Sequence, residues 1–221
     1  MAGHSFRAAL RGKSLLVLFL LAAAVLAVAS VRELTRWSEP VHRVAAIMTI
    51  AYLLWLVLEV RVTARSSASP KAETDRGTVH VYASARLITL VAATVPPPYW
   101  TEYQPWLLVL VALFLGGVAL RLAAIRTLGR FYSHRVRALS DHSIVTTGPY
   151  RYLRHPAYTG MILANLAFVS FFINAWSAAA LMVLFLPTLM VRIHVEERML
   201  FTLAGYREFA ASRRRLIPFV W

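Results

Sequence analysis

The chain has 221 residues, 59% of them apolar and only 15% charged, with a mean hydropathy of +0.60. A soluble domain is nearer to roughly half apolar and one quarter charged, so this balance excludes a disordered chain and argues against a water-soluble globule. Basic residues outnumber acidic ones 24 to 10, and the absence of cysteine excludes a disulfide scaffold, a cysteine nucleophile and a thiolate metal site.

A bilayer core takes about 20 apolar residues per helix. On that scale the first span is expected over 14–31 and the second over 44–60. The third, over 79–95, is weakened by His80 and Arg86. The fourth begins at Pro105 and reaches Leu120, its helix continuing to Leu128. The apolar stretch 158–193 is too long for one crossing. It divides into two helices near Ile173-Asn174-Ala175, because asparagine forms turns, with Trp176 at an interface. Arg7, Arg11 and Lys13 precede an apolar run ending Ala27-Val28-Ala29-Ser30, which resembles a signal peptide. The length of the run and the spans that follow favour an uncleaved anchor. The expected fold class is all-α: a polytopic membrane bundle of about six transmembrane helices, the last two forming a C-terminal hairpin.

The charge pattern orients this bundle. Six spans put both termini on one side, where 20 basic residues fall in 1–13, 61–79, 121–158 and 192–221. The other side carries three, Arg32, Arg36 and Arg43. By the positive-inside rule both termini are cytoplasmic, and Pro96-Pro97-Pro98-Tyr99-Trp100 is an external turn. Basic residues set between apolar runs read as membrane-flanking loops, so nucleic acid is not the expected partner. Only Lys13 and Lys71 are lysines. With so many alanines, this points to a GC-rich, bacterial genome and an inner-membrane location.

The chain divides by composition, with spans and turns in 1–120 and nearly all the unusual polar sequence in 121–221. Three segments stand out there. The first is Leu128-Gly129-Arg130-Phe131-Tyr132-Ser133, followed by Arg135 and Arg137. The second is His142-Ser143-Ile144-Val145-Thr146-Thr147-Gly148-Pro149-Tyr150, running on to Arg154-His155-Pro156-Ala157-Tyr158-Thr159-Gly160. The third is Arg192-Ile193-His194-Val195-Glu196-Glu197, followed by Gly205-Tyr206-Arg207. Pro156 suits the first turn of a helix, so the fifth span is expected to start near His155. The free N–H groups of that turn favour an anion. Arg192 and Glu196, four apart, share a helical face. Taken alone, the second segment is equally readable as helix anchoring at the lipid interface, and the third as snorkelling of Arg192 with a salt bridge to Glu196.

In their order and spacing, these segments resemble the isoprenylcysteine carboxyl methyltransferase family, and the wider group of membrane methyltransferases that includes phospholipid methyltransferases. The likeness covers roughly 115–221 and includes Leu200 and Pro218. It implies S-adenosylmethionine bound in a cytosolic region under loops and a C-terminal helix. The matching cofactor positions are His142, Ser143, Ile144, Val145, Tyr150, His155, Pro156, Ala157, Tyr158 and Glu196, with a further polar contact assigned to Arg137. Arg192 matches the arginine that holds the substrate carboxylate. No metal is implied.

The acceptor implied is lipophilic, its tail in the membrane lipids, and a prenylcysteine-like carboxylate comes first. A phenolic lipid or an amine headgroup stands as the alternative. A phenol has a pKa near 10 and would need a base such as Glu197 or His194. From other classes, a membrane reductase with a nicotinamide cofactor and a non-enzymatic membrane protein remain, although no Rossmann fingerprint is present.

Overall fold

The computed structural model describes residues 2–66, 77–97, 99–129, 132 and 144–217. Described residues form helices α1 (Ala2–Leu34), α2 (Pro40–Ser66), α3 (Thr78–Thr94) and α4 (Leu107–Leu128), then a 3-10 turn (Gly148–Arg151) and α5 (Pro156–Phe171). A continuous helix follows over Ala175–Leu200, made of α6 (Ala175–Ala179), a π-helical segment (Ala180–Phe185) and α7 (Leu186–Leu200). The short α8 (Tyr206–Ala211) comes last. Pro187 accounts for the π segment. It lacks an N–H, and its ring clashes with the carbonyl four residues back in a regular α-helix, so the turns before it widen.

Among the described residues, four helices are long and apolar enough to cross a bilayer: Lys13–Leu34, Pro40–Arg61, Leu107–Leu128 and Ala175–Leu200. The other two expected spans form as helices but are shorter, with 17 residues in α3 and 16 in α5. At helical rise these measure only about 24–26 Å. The polarity of the bundle suits lipid. Leu16, Leu20 and Val28 of α1, Leu108 and Val109 of α4, and Met182 and Val183 of the π segment are exposed. Glu33, Glu59, Arg86, Arg121, Asn165 and Arg192 are buried. In a membrane, charged groups are tolerated only where they face the bundle interior and find partners. The chain is an integral membrane protein built from apolar helices.

Lipid gives no hydrophobic drive for helix association, so close packing and interhelical hydrogen bonds take its place. α1 packs on α2 and α3, and α4 packs most extensively on α5. At that crossing, a Cβ at Gly117 would lie 2.7 Å from both the Ala164 nitrogen and the Gly160 oxygen, so only glycine lets the backbones approach. Tyr52, Trp55, Phe114 and Phe168 join α2, α4 and α5 through ring contacts of 4.7–6.2 Å. Tyr52 also donates to Asn165 Oδ1 at 2.8 Å.

The expected break in the last hairpin falls at Asn174. Its side-chain oxygen accepts from the backbone N–H of Trp176 and Ser177, both at 3.0 Å, and the Ser177 hydroxyl accepts in return from Asn174 N–H. This reciprocal cap starts α6, and Asn174 Nδ2 ties the turn to the Ala92 carbonyl at the end of α3 at 2.9 Å. The Ala27–Ser30 stretch lies within α1, where the Ser30 hydroxyl donates to Thr49 Oγ1 of α2 at 3.0 Å.

Candidate functional site

Three pieces of the C-terminal half meet at one end of the bundle. The first is the turn at Gly148. Its φ of +57° is open to glycine, and a Cβ there would sit 2.9 Å from Thr127 Oγ1 of α4. The chain is thereby folded back on α4, and Tyr150 is buried. The second piece is the first turn of α5, where Pro156 takes the position that needs no N–H. The third is the end of α7, which carries Arg192, Glu196 and Glu197.

Tyr158 joins the second piece to the third. Its hydroxyl donates to Glu196 Oε2 at 2.5 Å and accepts from Arg192 Nε at 3.1 Å. Arg192 is buried, and its Nη1 donates to Thr78 Oγ1 of α3 at 3.2 Å. The arginine therefore does not snorkel to the interface. It lies inside the bundle, linked through a tyrosine to the carboxylate one turn along its own helix.

Glu197 does a different job. Its buried carboxylate pairs with Arg154 Nη1 at 2.9 Å, His155 Nε2 at 3.3 Å and Arg215 Nε at 3.0 Å. The same region carries backbone bonds from Arg154 N–H to Arg214 O at 2.8 Å and from His155 N–H to Arg215 O at 3.0 Å. Thr159 adds a bond to Leu216 O at 2.7 Å. The segment 213–216 is thus strapped across the start of α5. An apolar wall lies beside it, where Tyr150, Ala157, Tyr206 and Phe209 are buried together with Ile144 and Val145 against them. Burial, with the negative charge of Glu196 beside it, lifts the Tyr150 phenol well above its ordinary pKa. Burial also pushes Tyr132 up to about 12, against the pull of Arg121. Both phenols stay neutral hydrogen-bonding groups.

Residues 109–202 match the model of the isoprenylcysteine carboxyl methyltransferase family. Over 108 residues the chain is 35% identical to protein-S-isoprenylcysteine O-methyltransferase A of Arabidopsis thaliana, covering 47% of this chain and 55% of that protein. It is 32% identical over 108 residues to the protein-S-isoprenylcysteine O-methyltransferase of Tribolium castaneum, covering 47% of this chain and 38% of the insect protein. A probable protein-S-isoprenylcysteine O-methyltransferase of Oryza sativa subsp. japonica is 30% identical over 115 residues, covering 50% and 60%. The chain spans about half the length of the first two plant relatives it matches.

Within the matched region, the structure brings Ile144, Val145, Tyr150, Ala157, Tyr158, Glu196 and Arg192 to one end of the bundle. Pro156 serves the helix start, and the His155 ring faces Glu197. Arg137, His142 and Ser143 lie outside the described residues, as do Arg130, Phe131, Arg135 and Pro218. The sequence reading missed the work of Glu197, Arg154 and Arg215 in holding the strap. It also missed a buried charge group of Glu59, Arg86 and Arg121. The signal for that group was present, since Glu59 is an acid inside an apolar run, and an ionisable residue within a span marks a site until shown otherwise.

Proposed function

We propose that the chain is an S-adenosylmethionine-dependent methyltransferase acting on the carboxylate of a lipophilic, prenylcysteine-like acceptor. The observation that carries this reading is the Arg192–Tyr158–Glu196 link, which puts the cation proposed to bind the acceptor beside the carboxylate proposed to bind the cofactor. The family match and the names of the similar proteins support the same chemistry.

The residues present fit the cofactor. Tyr206 is buried, and its hydroxyl has no hydrogen-bond partner among the described residues. Burial and the charges of Glu197 and Glu196 raise its pKa, so it remains a protonated donor. Glu196, Tyr150, Tyr206, Ile144 and Val145 would hold S-adenosylmethionine, the carboxylate bonding its hydroxyl or amine hydrogens and the apolar wall covering its ring. His142, Ser143 and Arg137 are proposed as further contacts from the resemblance. When bound, the cofactor supplies an electrophilic methyl group on a sulfonium.

The protein's own part is alignment and desolvation. A terminal carboxylate has a pKa near 3.3–3.7 and is ionised at neutral pH, so no general base is required. Arg192 holds it by charge-assisted hydrogen bonds, and Tyr158 shares the guanidinium so that the acceptor's negative charge is only partly quenched. Orientation of the two reactants supplies about 7–11 kcal/mol where alignment is good. The lipid location follows from the acceptor, since each CH₂ kept out of water contributes about 0.8 kcal/mol.

The six helices fit six crossings if α3 and α5 span with their flanking residues. Both termini then face the cytoplasm, on the side of the site, and residues 121–221 form the methyltransferase region behind four supporting spans. The lysine-poor composition fits a bacterial inner membrane. Calorimetry of the full chain in lipid nanodiscs tests the reading. The parent is expected to bind S-adenosylmethionine and Glu196→Ala to bind it roughly ten- to a hundredfold more weakly, as loss of a charged hydrogen bond implies. A parent chain that binds none would overturn it.

A further inference from the structure

Glu59 lies on α2, outside the family match, buried within a span. Its two carboxylate oxygens are divided between arginines from two other helices. Oε2 accepts from Arg86 Nη1 of α3 at 2.7 Å, and Oε1 accepts from Arg121 Nε of α4. Arg86 is held on its far side as well, with Nε donating to Tyr52 Oη at 2.9 Å and the guanidinium 4.4 Å from the Trp55 ring centre.

Arg121 points the other way, toward the site. Its Nη1 donates to the Ala157 carbonyl at 3.2 Å and its Nη2 to the Tyr132 hydroxyl at 3.3 Å. Ala157 belongs to the first turn of α5, one residue before Tyr158. A guanidinium is a rigid planar fork, so the partner that fixes Nε also fixes where both Nη groups aim. The tight α4–α5 crossing reinforces this, because a Cβ at Gly160 would meet the Arg121 backbone nitrogen at 2.7 Å. One carboxylate facing two arginines does not neutralise them. A counter-charge alone would not require each oxygen to have its own partner on a different helix.

We infer that Glu59 is a positioning residue: through Arg121 it fixes the first turn of α5 and Tyr132, and so the placement of Tyr158 between Arg192 and Glu196. The meaning of this placement for catalysis rests on the methyl-transfer reading, whereas the placement itself is testable without it. On this view α2 and α3 complete the site as well as anchoring it.

Hydrogen exchange of the full chain in nanodiscs, read by mass spectrometry, tests the inference. Glu59→Gln alone leaves two buried arginines unbalanced and risks unfolding. The double variant Glu59→Gln with Arg86→Gln keeps the net charge of the group unchanged, and Arg121→Lys keeps the pairing with Glu59 but removes the fork. In both, exchange over 155–161 is expected to rise roughly tenfold with 41–50 and 175–185 unchanged, and Glu59→Asp is expected to restore part of the double variant's loss when Arg86 is present. Unchanged exchange over 155–161 in both variants would overturn the inference. Loss of protection throughout the chain in both would also overturn it, making Glu59 a general stabiliser. Calorimetry with S-adenosylmethionine is the second arm, with Arg121→Lys expected to bind roughly tenfold more weakly than the parent. If the parent binds none, the methyl-donor reading fails while the exchange result still decides the part played by Glu59.

Discussion

Arg192 and Glu196 lie one turn apart on α7, with Tyr158 bonded to both, and the proposed reading gives them different roles. On the proposed reading Arg192→Ala removes the acceptor clamp. It is expected to lower kcat/KM for a prenylcysteine substrate by ten- to a hundredfold or about 1.4–3 kcal/mol, with the calorimetric affinity for S-adenosylmethionine nearly unchanged. Equal loss of cofactor affinity in that variant would show that the roles are reversed. The pH profile separates acceptor classes. A carboxylate is ionised throughout, and the buried phenols Tyr132 and Tyr150 are raised rather than lowered. Rate is therefore expected to be flat from pH 6 to 9, while a rise through neutrality would indicate a phenolic acceptor and a base. The sign for stability follows from the same burial. Tyr132 stabilises the fold fully below the unfolded value near pH 10, and this contribution is lost as pH climbs toward about 12. The sequence named Arg192, Tyr158 and Glu196 but not the tyrosine link, because residues 34 and 38 positions apart meet only through tertiary packing.

Helix boundaries were the most legible feature at the scale of elements. Pro156 starts α5 and Asn174 starts α6, each for a local reason that the residue itself states. The shortness of α3 and α5 and the widened turns before Pro187 were not legible, because apolar content does not report where a helix stops or changes pitch. Asn174→Ala removes the reciprocal cap and is expected to lower stability by about 1 kcal/mol in detergent unfolding, with cofactor affinity unchanged. Gly117→Leu acts differently. It forces α4 from α5 at the point where their backbones touch, and overpacking of that kind costs about 1–3 kcal/mol. Because Ala157 lies on the displaced helix, this variant is expected to lose cofactor affinity along with thermal stability.

For the whole molecule, charge counting gave an orientation but counted too much. Arg121 and Arg192 were counted as cytoplasmic-side cations, and the structure buries both in the bundle. Eighteen basic residues still oppose three without them. The chain has no cysteine, so single cysteines report sidedness cleanly. Thr202→Cys is expected to label only from the cytoplasmic face and Glu102→Cys only from the other, both positions being exposed. Labelling from one face by both would contradict six crossings. What neither composition nor motifs disclosed is that the N-terminal spans send a carboxylate to the C-terminal half, because Glu59 finds Arg121 only when the helices are assembled. The claim under all of this is that a cytosolic methyl donor meets a lipid-held carboxylate here. Mass spectrometry of a prenylcysteine acceptor, incubated with the purified chain and a trideuteromethyl-labelled donor, tests it most directly. The account predicts the label on the acceptor as an ester that mild base releases, and a label that resists base, or none at all, would contradict it.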